Sequence, residues 1–181
     1  MRQAIIVLAA AGVLAGCTGG MEGGARAAGP AAGPRAIAQL QPTKGNLAAG
    51  TVTFTQRGNR VLVDANVSGL PPGREVGFHI HEKGDCSSGD GMSAGPHYNP
   101  LGKQHAHYST TERHAGDLPA LRADTSGNAH LSIEVDVISV TDGPTSIVGR
   151  GLVVHADPDD YRTQPTGNAG ARIACGVIQR G

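Results

Sequence analysis

Short runs of β-branched and apolar residues, each bounded by glycine, proline, asparagine or aspartate, recur along the chain from residue 50 onward. In residues 131–135, apolar side chains alternate with serine and glutamate, which is the period of a half-buried strand. Residues 57–60 separate two such runs by a turn typical of a hairpin. Because no window shows the apolar period of a long helix, the sequence predicts an all-β antiparallel sandwich or barrel. The predicted strands are residues 51–55, 61–67, 75–81, 121–124, 130–135, 151–155 and 172–178.

Two long segments interrupt this pattern. Residues 82–119 are dominated by glycine, serine, proline and polar residues, and residues 156–170 form a second irregular segment. A loop as long as the first is unusual in a compact domain and is most often functional. Both segments are therefore predicted to be functional loops that bound ions or a disulfide could order.

Seven potential metal ligands are concentrated in and beside these loops. His79 and His81 are two residues apart, so on an extended strand they project from one face. His114 and Asp117 are three apart, so one loop turn can offer both to a single ion. Imidazole suits zinc and copper, and one carboxylate fits a zinc site. Of the eight histidines in the chain, six belong to the predicted set: His79, His81, His97, His105, His114, Asp117 and His155.

The first 35 residues differ in composition from the rest of the chain. Residues 1–16 combine a short charged start with an apolar run too short to span a bilayer, which predicts a signal peptide. The run ends in Leu14-Ala15-Gly16-Cys17, which resembles the bacterial lipoprotein processing box and predicts lipidation of Cys17. A plain cleaved signal, with Cys17 lost or free, is the alternative. Residues 17–35, rich in glycine, alanine and proline, are predicted to be a flexible tether, and residues 36–181 the folded domain.

Composition narrows the function and the compartment. The formal net charge is zero and tryptophan is absent, so no nucleic-acid partner is expected. The folded part contains two cysteines, Cys86 and Cys175, and an exported domain with two cysteines most simply pairs them. We expect an exported protein of the cell envelope or periplasm, whose only contact with a membrane is its lipid anchor.

Five segments carry a family resemblance. They closely resemble segments of the copper,zinc superoxide dismutases, occur in the family's order and lie within residues 36–179. The segments are Gly77-Phe78-His79-Ile80-His81-Glu82, residues 93–100 (SAGPHYNP), residues 112–118 (ERHAGDL), residues 149–155 (GRGLVVH) and residues 167–178 (GNAGARIACGVI). The resemblance implies a Greek-key β-sandwich or flattened barrel of eight strands with two long functional loops.

The resemblance also implies a role for each candidate residue. Copper would be bound by His79, His81, His97 and His155, and zinc by His97, His105, His114 and Asp117. Within the site, His97 would bridge the two ions, Asp159 would hydrogen-bond one ligand histidine of each ion, and Arg172 would guide the anionic substrate. The disulfide would join Cys86 to Cys175. With copper and zinc as cofactors, the implied activity is dismutation of superoxide to dioxygen and hydrogen peroxide by alternate reduction and reoxidation of copper.

Two other functions are weighed against this one. A non-catalytic copper-binding or copper-delivery module on the same fold is the main alternative, although all four copper positions are present. A zinc hydrolase would need an open zinc position, whereas the predicted zinc ligands form a closed set. The second loop is shorter than in eukaryotic members of the family, so fast electrostatic guidance of superoxide is less firmly implied than the two-metal site. Association into a homodimer is left open.

Overall fold

The computed structural model describes residues 33–181. The predicted signal peptide, the predicted lipidation site at Cys17 and the predicted tether up to residue 32 lie outside the described part. Within residues 33–181, no helix combines the length and the apolar character that crossing a bilayer requires.

Nine strands and one short 3₁₀ helix, Met92–Ala94, make up the regular structure of the described residues. The strands are β1 (Arg35–Pro42), β2 (Ala49–Arg57), β3 (Arg60–Ser68), β4 (Glu75–Val76), β5 (Phe78–His81), β6 (Leu121–Arg122), β7 (Ala129–Val135), β8 (Gly151–His155) and β9 (Arg172–Arg180). The predicted run at residues 75–81 is present but divided at Gly77. The N–H of Gly77 donates to the Asp157 carbonyl, and its own carbonyl accepts from the His155 N–H, both at 2.9 Å, so its backbone pairs with the last residue of β8 and the segment that follows it.

β1 is not among the predicted strands. Its buried positions alternate along the strand and are Ala36, Ala38 and Leu40. Alanine has low strand propensity, so an inward face built mostly of alanine gives a weak sequence pattern. β1 nevertheless pairs with β2 on one side and β9 on the other, which places it at the centre of the sheet.

The strands form a seven-stranded sheet in the order β5-β8-β9-β1-β2-β3-β7, beside a two-stranded β4-β6 sheet. Every pairing between these strands is antiparallel. The sheet curls around one apolar core, in the manner of a Greek-key barrel. The predicted all-β class is confirmed.

The core explains how the site is placed. In β3, Val61, Val63, Ala65 and Val67 are buried and face inward, as expected from the two-residue period of a strand. In β5 every residue is buried, because Phe78 and Ile80 belong to the core cluster while the alternate histidines are covered on the opposite side. One strand therefore supports the core with one face and the candidate site with the other.

Two segments, which we name the long loop (residues 82–119) and the second loop (residues 156–171), cover that outer face. The long loop runs back along β5: Gly116 accepts from the Ile80 N–H at 2.9 Å, and Ile80 accepts from the Tyr98 N–H at 2.8 Å. A disulfide between Cys86 and Cys175 joins the long loop to β9. This bond was predicted, and it fixes the start of the loop to the sheet.

Candidate metal centre

Two groups of buried side chains meet on the outer face of β5. In each group, one donor atom from every residue lies within 4.8 Å of the others. The first group is His79, His81, His97 and His155, and the second is His97, His105, His114 and Asp117. All seven predicted ligand residues are thus brought together, and His97 belongs to both groups.

Strand pairing brings three residues of the first group next to one another. His79 and His81 lie on β5, and β5 pairs with β8, whose last residue is His155. An irregularity in the pairing of β8 with β9 falls between Val154 and His155, where the strand leaves the regular ladder. The backbones of His79 and His81 also form isolated bridges to Asp117 and His97, so β5 aligns the two groups.

Backbone carbonyls orient two of these rings. His81 Nδ1 lies 2.8 Å from the Gly95 carbonyl oxygen, and His155 Nδ1 lies 3.3 Å from that of Gly170. Since each Nδ1 donates its proton to a carbonyl, each Nε2 carries the free lone pair. The two Nε2 atoms are 3.4 Å apart, so both lone pairs face the same space.

Asp159 connects the two groups. Its Oδ2 lies 2.7 Å from His79 Nε2, and its Oδ1 lies 2.9 Å from His105 Nε2. The Tyr161 N–H donates to the same Oδ1 at 2.7 Å, which fixes the carboxylate itself. Each histidine therefore donates through Nε2 and keeps Nδ1 available for an ion, which is the usual arrangement around bound metals.

Asp117 occupies the centre of the second group. Its Oδ1 lies 2.9 Å from His97 Nδ1, 3.0 Å from His105 Nδ1 and 3.4 Å from His114 Nδ1. Its Oδ2 accepts from the Ala106 N–H at 3.2 Å and from the His114 N–H at 3.1 Å. Oδ2 thus holds the carboxylate in place through the loop backbone, and Oδ1 faces three ring nitrogens.

Four ring nitrogens in this centre are buried and lack a hydrogen-bond partner within the described residues: His79 Nδ1, His97 Nε2, His105 Nδ1 and His114 Nδ1. His105 Nδ1 is close to Asp117 Oδ1, but the two do not form a hydrogen bond of acceptable geometry. Buried polar atoms without partners are rare and costly in folded proteins. Ions coordinated by these lone pairs would satisfy them, so the donor sets fit bound metals: four nitrogens suit copper, and three nitrogens with one oxygen suit zinc.

Burial keeps three histidines of the first group neutral: His81, His97 and His155. Burial lowers the pKa of His97 to about 4, although the hydrogen bond with Asp117 opposes the shift. Burial and the neighbouring His97 and Arg172 charges hold the pKa of His81 well below its usual value, and burial does the same for His155. Neutral imidazole is the form that binds metal, so these rings are ready to act as ligands.

The second group has the opposite electrostatic character. Burial acts to lower the pKa of His105, but its contacts with Asp117 and Asp159 outweigh burial and raise that pKa to about 9. Burial acts to raise the pKa of Asp117, yet its close contacts with the rings of His105, His114 and His97 leave it far below its ordinary value. The carboxylates therefore favour positive charge at this position, and a bound divalent cation would supply it.

Arg172, the predicted anion-guiding residue, begins β9 beside the first group and is partly buried. Its guanidinium donates to the carbonyl oxygens of Gly91 and Gly95, both at 2.7 Å. These two hydrogen bonds hold the guanidinium group of Arg172 against the long loop. Burial lowers the pKa of Arg172 from its ordinary value, but an arginine with so high an ordinary pKa remains charged.

The remaining histidines lie outside the two groups. His107 packs its ring 4.6 Å from that of Tyr161, and His130 Nδ1 lies 2.9 Å from Asn66 Oδ1 on the sheet surface. Gln164 is not among the predicted site residues, yet its side chain contacts the backbone of His105. A glutamine in an irregular loop has no diagnostic spacing, so only the three-dimensional contact identifies it.

Comparisons with known proteins agree with this geometry. Residues 48–178 match the family model described as copper/zinc superoxide dismutase. A relative named copper–zinc superoxide dismutase 2, from Aquifex aeolicus (strain VF5), is 39% identical over 149 residues, covering 80% of this chain and 86% of the relative. The crystal structure of the clock protein EA4 is similar with a TM-score of 0.73 at 44% identity, covering 80% of this chain and 93% of that one.

Proposed function

Because the chain belongs to the copper/zinc superoxide dismutase family, we propose that its two donor groups are the copper and zinc sites of that enzyme. The copper ligands are His79, His81, His97 and His155, and the zinc ligands are His97, His105, His114 and Asp117. The observation that carries the proposal is the position of His97. Its Nδ1 lies beside Asp117 of the second group, its buried Nε2 has no partner in the described residues, and the residue belongs to both groups.

The chain catalyses the dismutation of superoxide. Two superoxide ions and two protons give one dioxygen and one hydrogen peroxide. When bound, copper supplies the one-electron redox change that oxidises the first superoxide and reduces the second. The protein residues bind the ion, attract the anion and deliver a proton.

His97 Nε2 is the atom that we assign to proton delivery. This nitrogen takes up one proton in the first half of the cycle and releases it to the peroxide formed in the second, and the other proton of hydrogen peroxide comes from solvent. Burial makes a second proton on the same ring unfavourable, as the pKa of about 4 indicates. The ring therefore carries one mobile proton, at Nε2, while Nδ1 stays directed at the zinc position.

Arg172 provides positive charge where a small anion approaches. Its guanidinium is fixed by two backbone carbonyls, so the charge is pre-positioned and little side-chain entropy is lost when the anion binds. The zinc group has a structural role in this proposal, because four protein donors complete a tetrahedral set and leave no position for a substrate. That closed set argues against the hydrolase alternative.

The decisive experiment separates the enzyme from the copper-delivery alternative. Purified protein loaded with both ions is expected to contain one equivalent of each and to dismutate superoxide, and His155→Ala is expected to lose copper and activity while keeping zinc. His130→Ala, which alters an exposed histidine outside both groups, is the matched control. Stoichiometric copper without dismutation would favour delivery over catalysis.

Export and anchoring form a further part of the proposal. The apolar run before Cys17 and the disulfide between Cys86 and Cys175 support an exported lipoprotein of the cell envelope, since disulfides persist in oxidising compartments. Mass spectrometry of the mature N-terminus tests it: a diacylglycerol on Cys17 is expected, and Cys17→Ser should release the protein from membranes. An unmodified mature chain in the soluble fraction would contradict the anchor.

Association into a homodimer is proposed on the family resemblance alone. Sedimentation at several protein concentrations is expected to show a reversible dimer. A constant monomer mass across the concentration range would exclude it.

A further inference from the structure

Gln164, in the second loop, holds both main-chain polar groups of His105. Its Oε1 accepts from the His105 N–H at 2.9 Å, and its Nε2 donates to the His105 carbonyl at 2.7 Å. We infer that Gln164 is a positioning residue for the zinc ligand His105 and sets how tightly zinc is retained. The inference rests on the proposed zinc site.

The backbone of His105 needs these two bonds because of where it lies. His105 is 2% exposed and belongs to the irregular long loop, outside any strand. Neither its N–H nor its carbonyl takes part in a backbone–backbone hydrogen bond outside strands within residues 33–181. Buried backbone groups without partners are strongly unfavourable, and the amide of Gln164 offers the donor and acceptor that a neighbouring strand would otherwise provide.

The second loop fixes the side chain of His105 as well as its backbone. Asp159 accepts from His105 Nε2 at 2.9 Å, so His105 Nδ1 is left facing Asp117. Close approach of the two loops requires a glycine at position 167, which has a φ of +66° and where a Cβ would clash with the Asp159 carboxylate and the His105 ring. Asp159 and Gln164 thus determine where the ring lies and which nitrogen it presents.

Gln164 can act in this way because its own segment is held in place. The carboxylate of Asp160 accepts from the N–H groups of Arg162 and Thr163 at 2.9 and 2.8 Å. The Thr163 carbonyl in turn accepts from the Gly167 N–H at 2.7 Å. These bonds close the turn around Gln164, which is exposed, and its Nε2 also donates to the Arg162 carbonyl at 3.3 Å, so the direction of its amide is fixed by the turn and by His105.

The matched variants are Gln164→Met and Gln179→Met. Methionine keeps most of the length of the side chain and removes the amide, and Gln179 is an exposed glutamine near the end of β9. Partners that orient metal ligands typically change metal affinity by roughly 10- to 100-fold when removed. We expect Gln164→Met to release zinc about 10-fold faster to a chelator, with Gln179→Met unchanged.

A spectroscopic readout separates positioning from a general loss of stability. With cobalt(II) in the zinc site of the copper-loaded protein, Gln164→Met is expected to change the energies and intensities of the visible cobalt bands, because the His105 ligand shifts. Gln164→Asn carries the same amide on a side chain one methylene shorter and is expected to give a similar change. If Gln164→Met does not fold, Gln164→Asn is the variant in which zinc release and the cobalt spectrum are measured.

Two controls distinguish the ways in which the inference can fail. Wild-type zinc release and cobalt spectra in folded Gln164→Met and Gln164→Asn, alongside loss of zinc in His105→Ala, would overturn the role of Gln164 and leave the proposed function intact. Zinc retained by His105→Ala with wild-type affinity would overturn the zinc site itself.

Discussion

Arg172 and His81 hydrogen-bond to the same atom, the carbonyl oxygen of Gly95, through Nη2 at 2.7 Å and Nδ1 at 2.8 Å. The cation proposed to attract the substrate and a ring proposed to bind copper are therefore positioned by a single peptide group. Any movement of the long loop at Gly95 displaces both together.

Arg172→Ala is expected to slow dismutation roughly 10-fold or more, because guiding charges raise association rates by about 10- to 1,000-fold. The rate should also become less sensitive to salt, since a charge that is absent cannot be screened. Pulse radiolysis at several ionic strengths measures both effects. Arg180→Ala, at the far end of the same strand, is the matched control, and an equal loss in the two variants would contradict a specific role for Arg172.

Asp159→Asn is expected to weaken the binding of both metals, by roughly 10-fold each. Its carboxylate accepts from His79 on one side and His105 on the other, and an amide offers only one acceptor oxygen. Metal analysis after dialysis against graded chelator concentrations measures the two affinities. Asp142→Asn, an exposed residue paired with Arg180, controls for charge. Loss of zinc alone would show that His79 does not depend on this anchor.

Replacing both Cys86 and Cys175 by serine is expected to lower the free energy of unfolding by about 2–5 kcal/mol. The bond joins positions separated by 89 residues, so the unfolded chain gains considerable freedom without it. The start of the long loop is also released from β9, and this loop carries the carbonyls that hold Arg172. Urea unfolding of the metal-free protein measures the first effect. A normal dismutation rate in the folded variant would show that the loop does not need this tether.

The pair between Arg113 and Asp136 predicts a pH-dependent contribution to stability. The Arg113 guanidinium is 3% exposed and donates to Asp136 Oδ1 at 2.6 Å. Burial acts to raise the pKa of Asp136, but this bond and the arginine charge outweigh it and lower the pKa. A carboxyl with a depressed folded pKa stabilises the protein above its unfolded pKa, near 4, and loses that contribution as the pH falls through the folded value.

We therefore expect Asp136→Asn to be less stable than the wild type by about 1 kcal/mol at pH 7, a small figure because Asp136 is half-exposed. The difference should begin to shrink as the pH falls below about 4, where Asp136 becomes neutral in the unfolded chain, and should disappear only below its lower folded pKa. Urea midpoints of the metal-free proteins at pH 7 and pH 3.5 test this. A difference that stayed constant with pH would assign the loss to packing rather than to charge.

A strand can be predicted from the sequence where apolar residues recur at every second position and that face of the strand is buried. The alternation in residues 61–67 and 131–135 identifies β3 and β7 because large apolar side chains mark one face. β1 lacks this mark, since Ala36 and Ala38 bury little surface. The break at Gly77 could not be predicted, because it depends on hydrogen bonds to Asp157 and His155, which are distant in the chain.

The residues of the candidate site also fall into those that the sequence indicates and those that only the structure reveals. The spacing of His79 and His81 predicts that both lie on one face of a strand, because side chains two residues apart in a strand project to the same side. The grouping of His105 with Asp117 depends on loop conformation and was accessible only through family resemblance. No sequence pattern identifies the carbonyls of Gly95 and Gly170 or the amide of Gln164 as part of the site. Any residue supplies a carbonyl, and glutamines are common in loops.

The two faces of β5 place a constraint on how this chain can change during evolution. Phe78 and Ile80 enter the core, while His79 and His81 lie on the opposite face, in the group proposed to bind copper. A slip of one residue in the pairing of β5 with β8 would exchange these faces, leaving imidazoles among aliphatic side chains and apolar groups at the metals. Natural selection for a foldable chain and for a working catalyst therefore acts on one alignment of one short strand, and neither property can drift without the other.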